Sequence, residues 1–198
     1  MNILVVLAHP VRASLTGMLA DAAREGLAAD GHVVRFHDLD AEGFDPRIAA
    51  EELTARRSND ALIEAHCGAL AAADGIVIVH PNWWSQPPAV LKGWLDRVVR
   101  PGVAYDFHRD ESGRMMPVGL LKARTAVVIN TANVPQAAEQ AALGDPLETL
   151  WRKAVFERCG VYDVRRAVFA PAQSASAEQR AAWCDEARAL VRAAFPAD

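Results

Sequence analysis

The sequence has few of the features typical of disulfide-bonded, metal-binding or membrane-spanning proteins. Its three cysteines, Cys67, Cys159 and Cys184, lie far apart in 198 residues, and no Cys-x-x-Cys pair occurs. We therefore expect neither a disulfide framework nor a redox dithiol, and we predict no metal site. Apolar runs are also short: the one at residues 3–8 has no preceding basic region, and none approaches eighteen residues. These absences predict a cytoplasmic protein without membrane insertion.

Positive charge is scarce as well. Lysine and arginine number 21 against 25 aspartates and glutamates, which gives a net charge of −4, and no basic run is longer than two residues. A surface that binds nucleic acid or anionic lipid needs a basic cluster, so we expect neither partner. No two glycines are spaced as Gly-x-Gly, which excludes the Rossmann dinucleotide fingerprint, and the Walker A loop is absent as well.

What the sequence does contain is a regular alternation of short β-branched runs with longer amphipathic segments. This order is typical of successive βαβ units and a parallel sheet covered on both faces. The predicted strands are Asn2–Ala8, His32–Asp38, Gly75–His80, Arg124–Thr131 and Val161–Ala170. The pattern predicts one α/β domain, residues 1–198, with a doubly wound five-stranded sheet. Residues 101–122 fit neither period and are interpreted as a long functional loop.

Three segments that follow predicted strands are candidates for a ligand site, because ligands of open parallel sheets bind beyond the carboxyl ends of the strands. Residues 9–16 join a buried strand to a helix start that carries Ser14 and Thr16. Free N–H groups and the positive helix end there suit a phosphate. Two interpretations stay open, because Ser14 is equally suited to capping its own helix.

The second segment, residues 81–88, contains two adjacent tryptophans between prolines. Trp83 and Trp84 cannot both enter one core from the end of a strand, because successive side chains there face opposite ways. One of them therefore fits the wall of a cleft for a flat aromatic ligand. Alternatively, both indoles simply cover apolar helix surface.

Residues 80–98, HPNWWSQPPAVLKGWLDRV, followed by GVAY at 102–105, carry a specific resemblance. They closely resemble the central signature of the flavodoxin-like NAD(P)H:quinone oxidoreductases of the DT-diaphorase type. Ala8-His9-Pro10 with Ser14 and Leu15 is similar to that family's flavin phosphate loop, and the similarity extends along nearly the whole chain. The resemblance implies a flavodoxin-like sheet with strand order 2-1-3-4-5.

The resemblance also implies a cofactor, a reaction and a partner. The flavin phosphate would be bound by His9, Ser14, Leu15 and Thr16. The isoalloxazine ring would lie against Pro81, Asn82, Trp83 and Trp84, near the loop that contains Thr131 and Asn133. Family members are homodimers closed by aromatic residues of the partner, and Tyr105 and Phe107 stand at the matching positions, with His108 as a further substrate contact. Flavin N5 carries the hydride, so no catalytic side chain is assigned.

One loop departs from the family pattern. Where the family has Thr-Thr-Gly-Gly, this chain has Asn130-Thr131-Ala132-Asn133. Without the glycines the loop has fewer backbone conformations available, and Asn133 is open to three interpretations: a left-handed residue, an amide donor to the flavin, or an ordinary turn residue. The Tyr and His that some members place beyond this loop have no counterpart between Pro135 and Trp151.

The expected function is two-electron transfer from NAD(P)H through FMN or FAD to a quinone or similar flat acceptor, and we favour FMN because no separate adenine-binding segment is visible. Three alternatives remain at this stage. They are an ancillary subunit of a potassium-efflux transporter, a one-electron carrier of the flavodoxin type, and a degenerate member without flavin.

Overall fold

Residues 1–197 are described by a computed structural model, and their core is one parallel sheet. Its strands are β1 (Asn2–Leu7), β2 (Val33–Asp38), β3 (Gly75–Pro81), β6 (Thr125–Thr131) and β7 (Asp163–Phe169). They are arranged in the order β2-β1-β3-β6-β7, with every pair parallel. The predicted order 2-1-3-4-5 is confirmed, and each strand end lies within two residues of its predicted position.

Helices cover both faces of this sheet. They are α1 (Leu15–Ala29), α2 (Glu52–Ala55), α3 (Ala61–Ala72), α4 (Ala89–Val98), α5 (Gln136–Leu143), α6 (Pro146–Glu148) and α7 (Ala177–Ala194). From α6 the chain continues as a π-helix, Thr149–Phe156, and a 3-10 turn, Glu157–Cys159. None of the helices in residues 1–197 has the length and apolar character needed to span a bilayer.

Side chains of each central strand alternate between two apolar cores, as the period of a strand requires. In β1, Leu4 and Val6 pack with α3, α4 and the π-helix, whereas Ile3, Val5 and Leu7 pack against α1 and α7. Strand β3 is buried along its whole length. The carboxyl ends of β1, β3 and β6 therefore lie together at one edge of the sheet, and the helices packed on its two faces hold them in place.

The interpretation of residues 101–122 as a loop was wrong. They form an antiparallel hairpin of β4 (Tyr105–Arg109) and β5 (Met115–Gly119), joined at a turn in which Gly113 has φ +81°. The hairpin is fixed to the body because Gly119 approaches the backbone of Cys159; a Cβ there would lie 2.2 Å from the Cys159 carbonyl carbon. Four of the five residue pairs between β4 and β5 contain at least one exposed side chain, so neither strand is the buried apolar run by which the strands of the sheet were predicted.

Candidate functional site

The first turn of α1 leaves two backbone N–H groups free to donate hydrogen bonds. Ser14 caps the helix by accepting a hydrogen bond from Gly17 N at 3.2 Å, as the capping interpretation predicts. The backbone N–H groups of Leu15 and Thr16, the first two helical residues, have no acceptor within the described part of the chain. Two amide donors at the positive end of a 15-residue helix therefore face outward from the sheet edge.

A cavity of about 350 Å³, here called the helix-end cavity, lies at this edge. Its wall includes His9, Ser14, Leu15, Thr16, Pro81, Asn82, Trp83, Thr131 and Asn133. These are all the predicted cofactor-binding residues except Trp84. The structure thus brings three separate segments of the chain to one site, although their binding role stays a prediction.

Arg180 was missed by the sequence reasoning. This residue of α7 reaches the helix-end cavity, and its guanidinium is positioned by the carbonyl of Ala175, with Nε to O at 3.1 Å. Of the residues that line this cavity, Arg180 is the one with a permanent positive charge. No local sequence pattern around residue 180 predicts this position, because the position of Arg180 depends on how α7 packs next to α1.

Residues 83–86 form a tight turn with an uncommon backbone. Trp84 and Ser85 have φ values of +55° and +58°, and Trp83 and Gln86 exchange both backbone hydrogen bonds at 3.1 Å. Two successive positive φ values across such a pair define a type I′ turn, which usually selects glycine or asparagine. The turn places Trp84 outside the core with its side chain fully exposed. Trp83 is 45% exposed, and both tryptophans border cavities at this edge of the sheet.

Trp84 borders a second cavity of about 670 Å³, here called the tryptophan cavity, which shares Asn82, Trp83, Ala132 and Asn133 with the helix-end cavity. Its far wall is α5, a helix that the sequence analysis did not predict. From α5, Glu139 accepts hydrogen bonds from Asn82 Nδ2 at 2.8 and 3.0 Å and from the Ser85 hydroxyl. Glu139 was also missed, since it lies 57 residues from Asn82 in the chain.

The loop after β6 takes a defined path without the glycines of the family pattern. The hydroxyls of Thr131 and Thr16 are 2.8 Å apart, and Ala132 N donates to Phe169 O at 3.0 Å. Asn133 has no positive φ, so the left-handed interpretation was wrong. Its Oδ1 accepts a hydrogen bond from Gln173 N at 3.1 Å, which fixes the loop to the segment before α7.

Behind the site lies a buried polar network. His80 Nδ1 donates to Pro81 O at 2.8 Å, and its Nε2 accepts from Asn130 Nδ2 and Trp151 Nε1, both at 2.9 Å. Burial lowers the pKa of His80 to about 4, so the ring is neutral above that pH. Arg166 extends the network by donating from Nε to Asn130 Oδ1 at 2.6 Å. Pro81, which lies two residues before the tight turn, is thus connected by hydrogen bonds through His80 and Asn130 to Arg166 on β7.

Tyr105, Phe107 and His108 lie on β4, away from both cavities of their own chain. The rings of Tyr105 and Phe107 stack edge to face with centroids 5.6 Å apart, and both line a separate cavity of about 360 Å³ beside α4 and the π-helix. His108 is exposed. Within one chain the structure does not bring these predicted substrate contacts to the predicted cofactor site.

His37, Glu42 and His66 form a cluster that sequence spacing did not predict. His37 Nδ1 and His66 Nε2 lie 2.9 and 2.8 Å from the two carboxylate oxygens of Glu42. Trp94 Nε1 donates to His66 Nδ1 at 3.1 Å, so the proton of a neutral His66 is on Nε2 and faces Glu42. Burial and then His37 lower the pKa of His66, which favours this neutral form. The three side chains form a hydrogen-bonded triad in which the buried His37 Nε2 has no partner among the described residues.

Comparison with known proteins agrees with this geometry. A model of the flavodoxin-like fold matches residues 1–192. A Haemophilus influenzae protein named as an NAD(P)H oxidoreductase is 32% identical over 176 residues, covering 85% of this chain and 83% of the relative. The Homo sapiens ribosyldihydronicotinamide dehydrogenase [quinone] is 29% identical over 210 residues, 92% of this chain and 88% of that protein. The crystal structure of Smu.1420 from Streptococcus mutans superposes with a TM-score of 0.83 and 27% identity, covering 98% of this chain and 100% of the other.

These matches confirm the family predicted from residues 80–105 and, with it, the prediction of an oxidoreductase. The strand order and the similarity over nearly the full length both indicate this fold, and the candidate site lies at the sheet edge where ligands of such a fold are expected. The chain therefore belongs to the flavodoxin-like family, and the relatives that it resembles include NAD(P)H oxidoreductases and quinone dehydrogenases.

Proposed function

We propose that the protein is a single-domain, flavin-dependent NAD(P)H oxidoreductase that passes two electrons to a quinone or similar flat acceptor. The observation that carries this proposal is the helix-end cavity, which gathers the predicted phosphate-binding residues and shares four wall residues with the tryptophan cavity. The names of the Haemophilus and human relatives support the reaction class. We favour FMN over FAD because the sequence shows no separate adenine-binding segment.

The donor set of the helix-end cavity fits the anionic tail of a flavin. The free N–H groups of Leu15 and Thr16 and the Arg180 guanidinium are all donors, and His9 holds Nδ1 3.0 Å from Val11 N, which leaves its Nε2 free. No carboxylate lines this cavity among the residues that the structure describes. Such a set stabilises a phosphate through charge-assisted hydrogen bonds.

The tryptophan cavity fits flat ligands. When bound, the flavin supplies the hydride chemistry, and the protein contributes binding and orientation. Trp83 and Trp84 offer aromatic surface, while Ala132, Ala138 and Ala142 leave the opposite wall shallow. Stacking of this kind excludes water and orients the reacting ring faces, which is the part of catalysis that these side chains can supply.

Identification of the chromophore tests this proposal. We expect purified protein to be yellow, and we expect the compound released by denaturation to have the mass of FMN. FAD in its place would correct the cofactor and leave the reaction class intact. A colourless preparation that stays colourless after incubation with FMN and with FAD contradicts the proposed function.

We also propose that the protein acts as a homodimer in which the β4–β5 hairpin closes the partner's tryptophan cavity. Phe107 and Met115, each 47% exposed, share one face of this hairpin, and Val118, also 47% exposed, lies on the other face; a second subunit would cover such apolar side chains. Because Tyr105 lies outside the helix-end and tryptophan cavities of its own chain, Tyr105→Ala is expected to raise the acceptor KM several-fold while flavin content stays unchanged. Steady-state kinetics and absorbance measure the two quantities. A monomeric protein with full activity contradicts this arrangement.

A further inference from the structure

The tryptophan cavity contains a single charged side chain among the described residues that line it, and that side chain is negative. Glu139 is only 6% exposed, and its neighbours in the wall are apolar or neutral. Its hydrogen-bond donors are the amide of Asn82 and the hydroxyl of Ser85, which carry no charge.

Other buried carboxylates in this protein are paired with arginine. Asp145 lies 2.7 Å from Arg166 Nη1, and Glu52 lies 2.6 Å from Arg97 Nη2. Glu139 has no cation within ion-pair distance in the described part of the chain. A buried carboxylate without a cation is costly to maintain, and such groups concentrate at functional sites.

The negative charge of Glu139 has a direct effect on any ligand that enters the cavity. Apolar walls screen charge poorly, so a second negative charge a few ångströms away is repelled more strongly than in water. A neutral ligand of the same shape meets only the aromatic and apolar surface. A cationic one is attracted.

We infer that Glu139 is a specificity-determining residue that makes the tryptophan cavity select neutral or cationic flat acceptors against anionic ones. This inference rests on the proposed function for the acceptor reaction, but the charge selection itself is a property of the cavity. The exclusion acts on binding, before any electron transfer.

The test compares 1,4-naphthoquinone with 1,4-naphthoquinone-2-sulfonate, which differ by one negative charge. Their dissociation constants are measured by quenching of tryptophan fluorescence in the protein as purified, without NAD(P)H. Glu139→Gln removes the charge and keeps an oxygen for Asn82 and Ser85. We expect it to lower the sulfonate dissociation constant roughly tenfold and to leave that of the neutral quinone unchanged.

Two further variants keep the test decisive. Glu186→Gln removes one charge from an exposed position on α7 without an ion-pair partner, so neither dissociation constant should change. Leu143→Lys adds a positive charge at a cavity residue that is 62% exposed, and it should also tighten sulfonate binding. It tests the selection even if Glu139→Gln does not fold.

The outcomes separate the claims. Equal changes for both quinones in Glu139→Gln show that Glu139 acts only by holding the turn, and they overturn the inference. Unchanged sulfonate affinity in folded Glu139→Gln overturns it too, as does unchanged sulfonate affinity in Leu143→Lys when Glu139→Gln does not fold. A colourless wild-type protein contradicts the proposed function, yet its two dissociation constants still test the charge selection.

Discussion

Ser14→Asp is expected to abolish flavin retention while the far-ultraviolet circular dichroism stays unchanged. Aspartate caps helices as well as serine does, so α1 keeps its first turn. The new carboxylate would lie beside the free N–H groups of Leu15 and Thr16, where the cofactor phosphate is predicted to bind. It would compete for those donors and repel the phosphate, which we expect to lower flavin affinity by at least about a hundredfold.

Ser14→Asn is the matched control for this experiment. Asparagine is also a good N-cap and has nearly the shape of aspartate, but it carries no charge. Equilibrium dialysis with FMN should therefore show a much smaller loss for Ser14→Asn than for Ser14→Asp. Equal flavin content in Ser14→Asp and wild type would remove the phosphate assignment from the start of α1.

The largest loss of stability is expected for Arg166→Met. The Arg166 side chain is 2% exposed and lies 2.7 Å from Asp145, whose side chain is 7% exposed. Removing the arginine leaves the Asp145 carboxylate buried without its cation and also breaks the bond to Asn130 Oδ1. We expect the free energy of unfolding to fall by about 3–5 kcal/mol, measured by chemical denaturation.

Two comparisons isolate the cause. In Arg166→Met with Asp145→Asn, the uncompensated charge is gone, while asparagine still accepts from Glu148 N and tolerates the left-handed φ of +53° at position 145. The double variant should therefore be more stable than Arg166→Met alone. Arg165→Met breaks an exposed pair with Asp163 on the same strand and should cost about 1 kcal/mol or less. Equal losses at both positions would contradict the argument.

The sheet could be predicted from sequence because its signal is local. Each central strand is a run of β-branched residues that must be buried on both faces, and β3 illustrates this from Gly75 to Pro81. The β4–β5 hairpin was not predicted, because its strands do not have this buried pattern. Both of its strands are short and largely exposed, so they lack the buried apolar run that marks the strands of the sheet. Helix α5 escaped because Glu139 is its single buried residue.

The candidate site likewise contains some residues that could be predicted from sequence and others that could not. His9, Ser14 and Trp83 could be identified because each directly follows a strand or begins a helix, and such positions face the ligand edge of an open sheet. Glu139 and Arg180 come from later helices, and only tertiary packing brings them to the cavities. Sequence periodicity carries no information about which residues of distant helices meet.

The type I′ turn at Trp84 and Ser85 has a consequence for how ligands are received. Left-handed backbone at two residues that are not glycine is unfavourable by about 1–3 kcal/mol each, and here it is held by the hydrogen bonds that Asn82 and Ser85 donate to Glu139. The backbone of this aromatic rim is therefore already set in the free protein. An incoming flat molecule does not have to immobilise the rim, so less conformational entropy is lost on association and more of the contact energy appears as affinity.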